Sequence, residues 1–223
     1  MRTVFFILGI TTLLTACGNQ PSPTLHVNVY CRYDQQEGKI RAEATYFEGD
    51  TLRTARAKVF QSGVSFLGSG MEARNLPDGT VRYETERSIN LPEQLPLFFK
   101  ENPNREKTIL LPLHPISDFG FDSEVVSKSE GATLRFGGEP LSDAEKLILL
   151  FTDANQQNVS VEINGPVNSG EIKISPQSIS TLVPGPAELY LVRTNLKQSR
   201  EDHHEISLQT EFYSKIIKVN IGR

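Results

Sequence analysis

Residues 25–33 read LHVNVYCRY, and residues 39–47 read KIRAEATYF. Every odd-numbered position of the first stretch is apolar or aromatic, as is every even-numbered position of the second from Ile40 to Tyr46. Side chains alternate between the two faces of a β-strand, so each stretch predicts a strand with one buried face. The polar residues 34–38 separate them and end in glycine, so we expect a β-hairpin.

The same extended pattern continues along the chain. Turn residues such as Pro77-Asp78-Gly79 separate the stretches, because proline presets φ and glycine accepts a positive φ. The continuous apolar run 146–152 suits the middle of a sandwich. One helical turn is expected at 175–182, with Ser175 as its N-cap and a proline in first position. Residues 214–215 predict a turn or a bulge.

Closely spaced strands without a long amphipathic helix predict an all-β fold. We expect two antiparallel immunoglobulin-like β-sandwich domains, residues 25–114 and residues 115–223, divided in the segment His114-Pro115-Ile116-Ser117-Asp118. Each part has the size of one such sandwich, about 100 residues. The term immunoglobulin-like denotes architecture here, since the chain has no tryptophan and lacks paired core cysteines.

The beginning of the chain has the pattern of an export signal. Arg2 supplies a positive charge, residues 4–14 are mostly apolar, and the small residues Thr15 and Ala16 precede Cys17. Crossing a bilayer as a helix takes about 20 apolar residues, so this run is too short for a lasting membrane span and fits a signal peptide. Leu14-Thr15-Ala16-Cys17 resembles the lipobox of bacterial lipoproteins.

That resemblance implies cleavage after residue 16 and attachment of fatty acyl chains such as palmitate to Cys17. Two or three chains make a stable anchor, because each buried CH₂ contributes about 0.8 kcal/mol. Residues 17–24 then form a lipidated tether, in which Gly18–Thr24 span at most about 23 Å. Gly18 stands where an aspartate would imply retention in the inner membrane. We therefore expect an outer-membrane lipoprotein that faces the periplasm.

The part after the tether resembles uncharacterised β-sandwich lipoproteins of Bacteroidota, and the run 182–193, LVPGPAELYLVR, contributes to the likeness. This resemblance implies no known activity.

Charge and cysteine content limit the function classes. The whole chain has 23 basic and 27 acidic residues, and loss of residues 1–16 removes Arg2 and leaves a net charge of −5. Nucleic-acid binding needs a basic face, so we expect no nucleic-acid partner. With Cys17 lipidated, Cys31 has no partner for a disulfide. Its place on the apolar face predicts a buried thiol without reactivity.

The densest set of metal-ligand side chains is Glu201, His203, His204 and Glu205. Imidazoles and carboxylates bind zinc and similar ions. Neighbouring residues on a strand point to opposite faces, which argues against a shared ion, whereas on a loop His203 and His204 can converge. A solvated hairpin loop without metal is the interpretation that we favour, and we expect no cofactor.

Residues 63–70, GVSFLGSG, approach the Gly-x-Ser-x-Gly pattern of hydrolases. The second glycine stands one position late, and the surroundings predict strands in place of the strand–turn–helix that such a nucleophile requires. A bent strand with glycine bulges is the better interpretation, and we expect no catalytic residues.

We therefore expect a non-enzymatic lipoprotein of the cell envelope, anchored to the membrane by lipid, that binds a protein partner or has a structural role. The alternative is a protein that binds a small ligand or a glycan in a cleft between the two domains.

Overall fold

A computed structural model describes residues 23–223, so the predicted signal peptide and most of the tether lie outside the described residues. Eighteen strands and one 3₁₀-helix make up the fold. The strands are β1 (Leu25–Asp34), β2 (Lys39–Glu48), β3 (Arg56–Ala57), β4 (Val64–Phe66), β5 (Ser69–Gly70), β6 (Glu72–Asn75), β7 (Val81–Ser88), β8 (Pro96–Asn102), β9 (Arg105–Leu110), β10 (Ile116–Phe121), β11 (Val125–Val126), β12 (Ala132–Gly138), β13 (Glu145–Thr152), β14 (Asn158–Asn164), β15 (Glu171–Ile174), β16 (Gly185–Glu201), β17 (His204–Tyr213) and β18 (Ile217–Ile221).

The strands form three sheets. The largest has eleven strands, and its main path is β14-β13-β16-β17-β1-β2-β7-β6. Strand β3 lies beside β2, β18 lies beside the first part of β16, and β11 lies beside β18. A four-stranded sheet has the order β5-β4-β8-β9, and a three-stranded sheet has the order β10-β12-β15. The predicted all-β class is confirmed, and no helix of residues 23–223 is long and apolar enough to cross a membrane.

Each small sheet covers a different part of the large one. Tyr46 on β2 meets Phe99 on β8 with ring centroids 4.9 Å apart, which places the four-stranded sheet over β1, β2, β7 and β17. Phe121 on β10 stacks on Phe151 of β13 at 6.3 Å, which places the three-stranded sheet over β13 and β16. Together these layers form two sandwiches whose buried residues join into one hydrophobic core.

Most of the sequence-based element predictions are confirmed. The hairpin of β1 and β2 pairs Leu25 with Glu48 and Asp34 with Lys39, and the predicted apolar face of each strand is buried. Strand β13 is paired on both sides, as expected of a central strand. The helical turn is the 3₁₀-helix Pro176–Ile179, where the Ser175 side chain accepts a hydrogen bond from the Ser178 N–H.

Strand β16 connects the two sandwiches. Its 17 residues pair first with β18 and then with β17 along one edge, while β13 pairs along the other edge. The predicted irregularity at residues 214–215 lies between β17 and β18. There the buried Ser214 hydroxyl accepts a hydrogen bond from the Leu191 N–H at 2.8 Å, so the interrupted pairing leaves this donor satisfied.

Two strand pairs are parallel, which the sequence pattern did not indicate. Strand β17 lies parallel to β1, and β11 lies parallel to β18. A parallel pair requires a long crossover connection, and most of the chain separates β1 from β17. Hydrogen bonds of the large sheet therefore connect strands from both sides of the predicted boundary between residues 114 and 115. The division into two domains stays a prediction about folding units.

Candidate functional site

Three of the four histidines lie near the turn between β16 and β17 or beside β17. The turn consists of Asp202 and His203, because Glu201 pairs directly with His204. Asp202 has a φ of +52°, a left-handed conformation that aspartate tolerates better than most residues. The chain therefore reverses direction within two residues. Because His203 lies in this turn, its side chain does not follow the alternation of side chains along the strands.

His203 and His204 consequently face the same group. Their ring centroids are 4.0 Å apart, and each Nε2 lies beside one oxygen of Glu101: 2.8 Å for His203 and 2.6 Å for His204. The sequence allowed a strand or a loop; in the structure His203 lies in the turn and His204 begins β17. The three side chains hold their possible ligand atoms within 4.8 Å of one another.

Glu101 comes from the opposite sheet, 102 residues away from His203. It follows Leu97 and Phe99 on the inward face of β8, and it is the extra residue of a bulge, since Lys100 pairs with Glu106 and Asn102 with Arg105. Bulges commonly redirect a side chain near a functional site. The sequence analysis missed Glu101. The one available signal was its position at the end of a predicted strand, two residues after the inward-facing Phe99 and therefore on the same face.

The other two sequence candidates lie elsewhere. The Glu201 carboxylate contacts Lys107 at 2.5 Å, while the Glu201 backbone carbonyl lies 3.3 Å from His204 Nδ1. Glu205 points to the other face of the sheet, where its carboxylate lies 3.0 Å from Nδ1 of the buried His26. The cluster is thus Glu101, His203 and His204.

Burial and charge define the character of the cluster. The side chain of His204 is 5% exposed, that of Glu101 11% and that of His203 15%, so the cluster is reachable from one side. Burial favours the neutral acid, but hydrogen bonds from both histidines outweigh it and lower the pKa of Glu101. Arg105 approaches from outside, with its guanidinium 3.8 Å from Glu101 and 3.3 Å from His203 Nε2.

A second feature is the free edge of β14, which pairs only with β13 among the described strands. Backbone hydrogen bonds join Asp153 to Gln157 and Gly165 to Glu145 at its two ends. Because backbone direction alternates along an antiparallel pair, the odd-numbered residues between them face β13. The even-numbered residues direct their N–H and C=O groups outward, and all four have exposed side chains: Asn158, Ser160, Glu162 and Asn164.

The remaining sequence candidates are structural or lie outside the described residues. Cys31 is fully buried, and burial raises the pKa of its thiol to about 12, as expected of an unreactive cysteine. The segment 63–70 forms the hairpin of β4 and β5, with Leu67 and Gly68 at positive φ in the turn, and no helix follows the serine. Cys17 and its lipobox precede residue 23, so they stay a sequence-based expectation.

A buried ion pair of the second half lies next to the predicted boundary. Arg193 on β16 donates to both oxygens of Glu145 on β13, at 2.7 and 2.8 Å, and each side chain is 1% exposed. His114 lies 2.8 Å from the same carboxylate. Surface depressions do occur elsewhere, including one of about 450 Å³ beside His26 and Leu52.

Comparisons with known proteins leave the family of the chain open. No protein-family model matches the sequence, and no curated protein matches it. Among solved structures, the chain is similar to the "tetra-tandem repeat in extending region of large adhesion protein", with 12% sequence identity and a TM-score of 0.30. The match covers 89% of this chain and 49% of that chain, so this chain spans about half its length. What the fold itself defines is an all-β protein.

Proposed function

We propose that this chain is a non-enzymatic lipoprotein of the cell envelope that binds an extended segment of a protein partner along β14. Lipidation of Cys17 would hold it at the outer membrane on the periplasmic side. The observation that carries the proposal is the outward-facing backbone of Asn158, Ser160, Glu162 and Asn164. An added strand would satisfy those donors and acceptors, as in the strand-addition mode of peptide recognition.

The composition of β14 supports this use. Proteins usually protect an exposed edge with lysine, proline, a bulge or a very short strand. β14 has seven residues, NVSVEIN, with neither lysine nor proline, and its pairing with β13 is regular throughout. Its one charge, Glu162, already contacts Lys146 at 2.7 Å. An edge of this composition is therefore better suited to pairing with another strand than to exposure to solvent.

The test places a photo-reactive amino acid at Glu162 and measures crosslinks in native cells. Ser160→Pro removes one outward N–H without removing a hydrogen bond to β13, and Ser160→Ala is the matched control that keeps it. We expect one protein adduct, retained with Ser160→Ala and reduced at least tenfold with Ser160→Pro. Circular dichroism verifies that both variants are folded.

A second probe at Glu86, an exposed residue on β7 of the same sheet, should give no such adduct. Adduct yields that are equal for Ser160→Pro and Ser160→Ala, or equal from Glu162 and Glu86, would refute binding along β14.

The alternative function, a small-ligand or glycan site between the two halves, has less support. Beside the boundary, Glu145 is bound by Arg193 and His114 in direct contacts, and no depression lined by these three residues stands out among the described residues. The depression beside His26 lies on the outer face of β1 and β17, away from that boundary.

A further inference from the structure

We propose that Glu101, His203 and His204 form a binding site for a divalent transition-metal ion of the zinc type, which links the turn of β16 and β17 to the end of β8. This inference is independent of partner binding along β14. It rests on the donor set, on the hydrogen bonds around it and on the positions of the three residues at or beside the ends of their strands.

The contacts of His204 are compatible with a metal ion at its Nε2. Its Nδ1 lies 3.3 Å from the backbone carbonyl of Glu201, an acceptor to which a protonated Nδ1 can donate. Neutral imidazole then has a lone pair on Nε2, which faces a Glu101 oxygen at 2.6 Å. Without an ion, an Nε2–H proton joins these two atoms in the hydrogen bond described above, and a metal ion would take the place of that proton.

A metal ion fits this arrangement in the usual way. Metal-bound histidines commonly donate their second ring N–H to a backbone carbonyl or a carboxylate, which fixes the tautomer and the ring orientation. The Glu201 carbonyl has that position for His204. His203 supplies the second imidazole nitrogen and Glu101 the carboxylate oxygen, a set of three protein ligands that leaves one position for water.

The distances require only a small adjustment. Zinc binds nitrogen and oxygen at about 2.0–2.2 Å, so tetrahedral ligands lie about 3.3 Å apart. The two N–O separations of 2.6 and 2.8 Å would therefore widen by about half an ångström. His203 lies in a turn and Glu101 in a bulge, so neither movement disturbs regular pairing. Arg105, whose side chain is 51% exposed, has room to move outward as the ion enters.

The test is calorimetric titration of the metal-stripped protein with Zn²⁺, supported by the visible absorption of bound Co²⁺. We expect one equivalent to bind at micromolar or lower concentration, with Co²⁺ bands typical of four-coordination. His203→Gln and Glu101→Gln should each weaken Zn²⁺ binding at least 100-fold. These two residues are partly exposed, so the variants are expected to fold, which circular dichroism verifies.

The matched control is His114→Gln, a histidine outside the cluster that should leave Zn²⁺ affinity within threefold of the parent. Absence of a stoichiometric Zn²⁺ site in the parent protein would overturn the proposal. So would binding that His203→Gln and Glu101→Gln leave unchanged, because the ion would then bind elsewhere. Neither result would affect the crosslinking test at Glu162.

Discussion

Two tyrosine hydroxyls in the core differ in their hydrogen bonding. The Tyr83 hydroxyl accepts a buried hydrogen bond from the Phe60 N–H at 2.9 Å. The Tyr46 hydroxyl, a few ångströms away in the same aromatic cluster, is buried without a protein hydrogen-bond partner in residues 23–223. Burial raises the pKa of Tyr46, so this group stays a neutral phenol. The two tyrosines therefore contribute differently to stability although their rings pack alike.

Removing each of the two hydroxyls should change the free energy of unfolding by different amounts. Tyr83→Phe leaves the Phe60 N–H buried without a partner, and we expect a loss of about 1–3 kcal/mol. Tyr46→Phe removes an unpaired polar group, and we expect no loss or a small gain. Urea denaturation of both variants measures the difference. A larger loss for Tyr46→Phe than for Tyr83→Phe would contradict this account of the cluster.

At the scale of elements, periodicity predicted strands well and connections poorly. The alternation in residues 25–33 and 39–47 determined β1, β2 and their buried faces, because each side chain contributes to burial independently. The alternation in residues 187–193 ends before Thr194, whereas β16 continues to Glu201 with mostly exposed side chains. Its second part is held by pairing with β17, a tertiary contact that leaves no apolar pattern in the sequence.

The candidate site was predictable only in part for the same reason. The sequence indicated His203 and His204 and recognised that a loop would let them converge. It could not supply Glu101, because only the packing of β8 against β17 brings that residue near. It also grouped Glu201 and Glu205 with the histidines, although strand alternation sends Glu205 to the opposite face, toward His26.

The pairing of β13 with β16 predicts a specific acid sensitivity. Burial raises the pKa of Glu145, but hydrogen bonds from Arg193, the Ser142 N–H and His114 outweigh it and lower the pKa to about 2. A lowered pKa in the folded state stabilises the protein above the normal carboxyl pKa, and that stability is lost as pH falls toward 2. We expect this group to account for about 3 kcal/mol between pH 5 and pH 2.

Chemical denaturation of the parent and of Glu145→Gln across this pH range measures the contribution. The variant should be less stable than the parent at pH 5, because Arg193 stays buried without its counter-ion. The difference in the free energy of unfolding between the two proteins should become smaller toward pH 2. Glu162→Gln, which alters an exposed pair, is the control and should follow the parent. Parallel curves for the parent and Glu145→Gln would show that the buried pair does not cause the acid sensitivity.

For the whole molecule, the sheet order has a consequence for folding. The parallel pairing of β17 with β1 joins the last strands to the first, and β16 contributes to both sandwiches. Such shared pairing couples the two halves more tightly than a linker between independent domains would. The chain is therefore expected to unfold as one cooperative unit. At residues 114–115 it passes from the four-stranded sheet to the three-stranded sheet.

Thermal unfolding should accordingly show one transition. We expect calorimetric and van't Hoff enthalpies to agree, and circular dichroism and tyrosine fluorescence to give the same midpoint. Two separated transitions would show that residues 25–114 and 115–223 unfold independently, as two separate domains would.

The position of the folded part relative to a membrane depends on the tether. The Leu25 N–H donates to the His203 carbonyl at 2.8 Å, so the chain enters the fold beside the Glu101–His203–His204 cluster. If Cys17 is lipidated, residues 18–24 keep this end within about 23 Å of the lipid. The account as a whole therefore depends on the acylation of one cysteine.

The most direct test is fractionation of cells that produce the parent or Cys17→Ser, with mass spectrometry of the N-terminal peptide. The parent should sediment with membranes and begin at a Cys17 that carries fatty acyl chains. The variant should keep residues 1–16 or appear in the soluble fraction without lipid. A parent chain with an unmodified Cys17, or membrane association equal to that of a variant lacking residues 1–16, would contradict the proposal of a lipid-anchored binding protein.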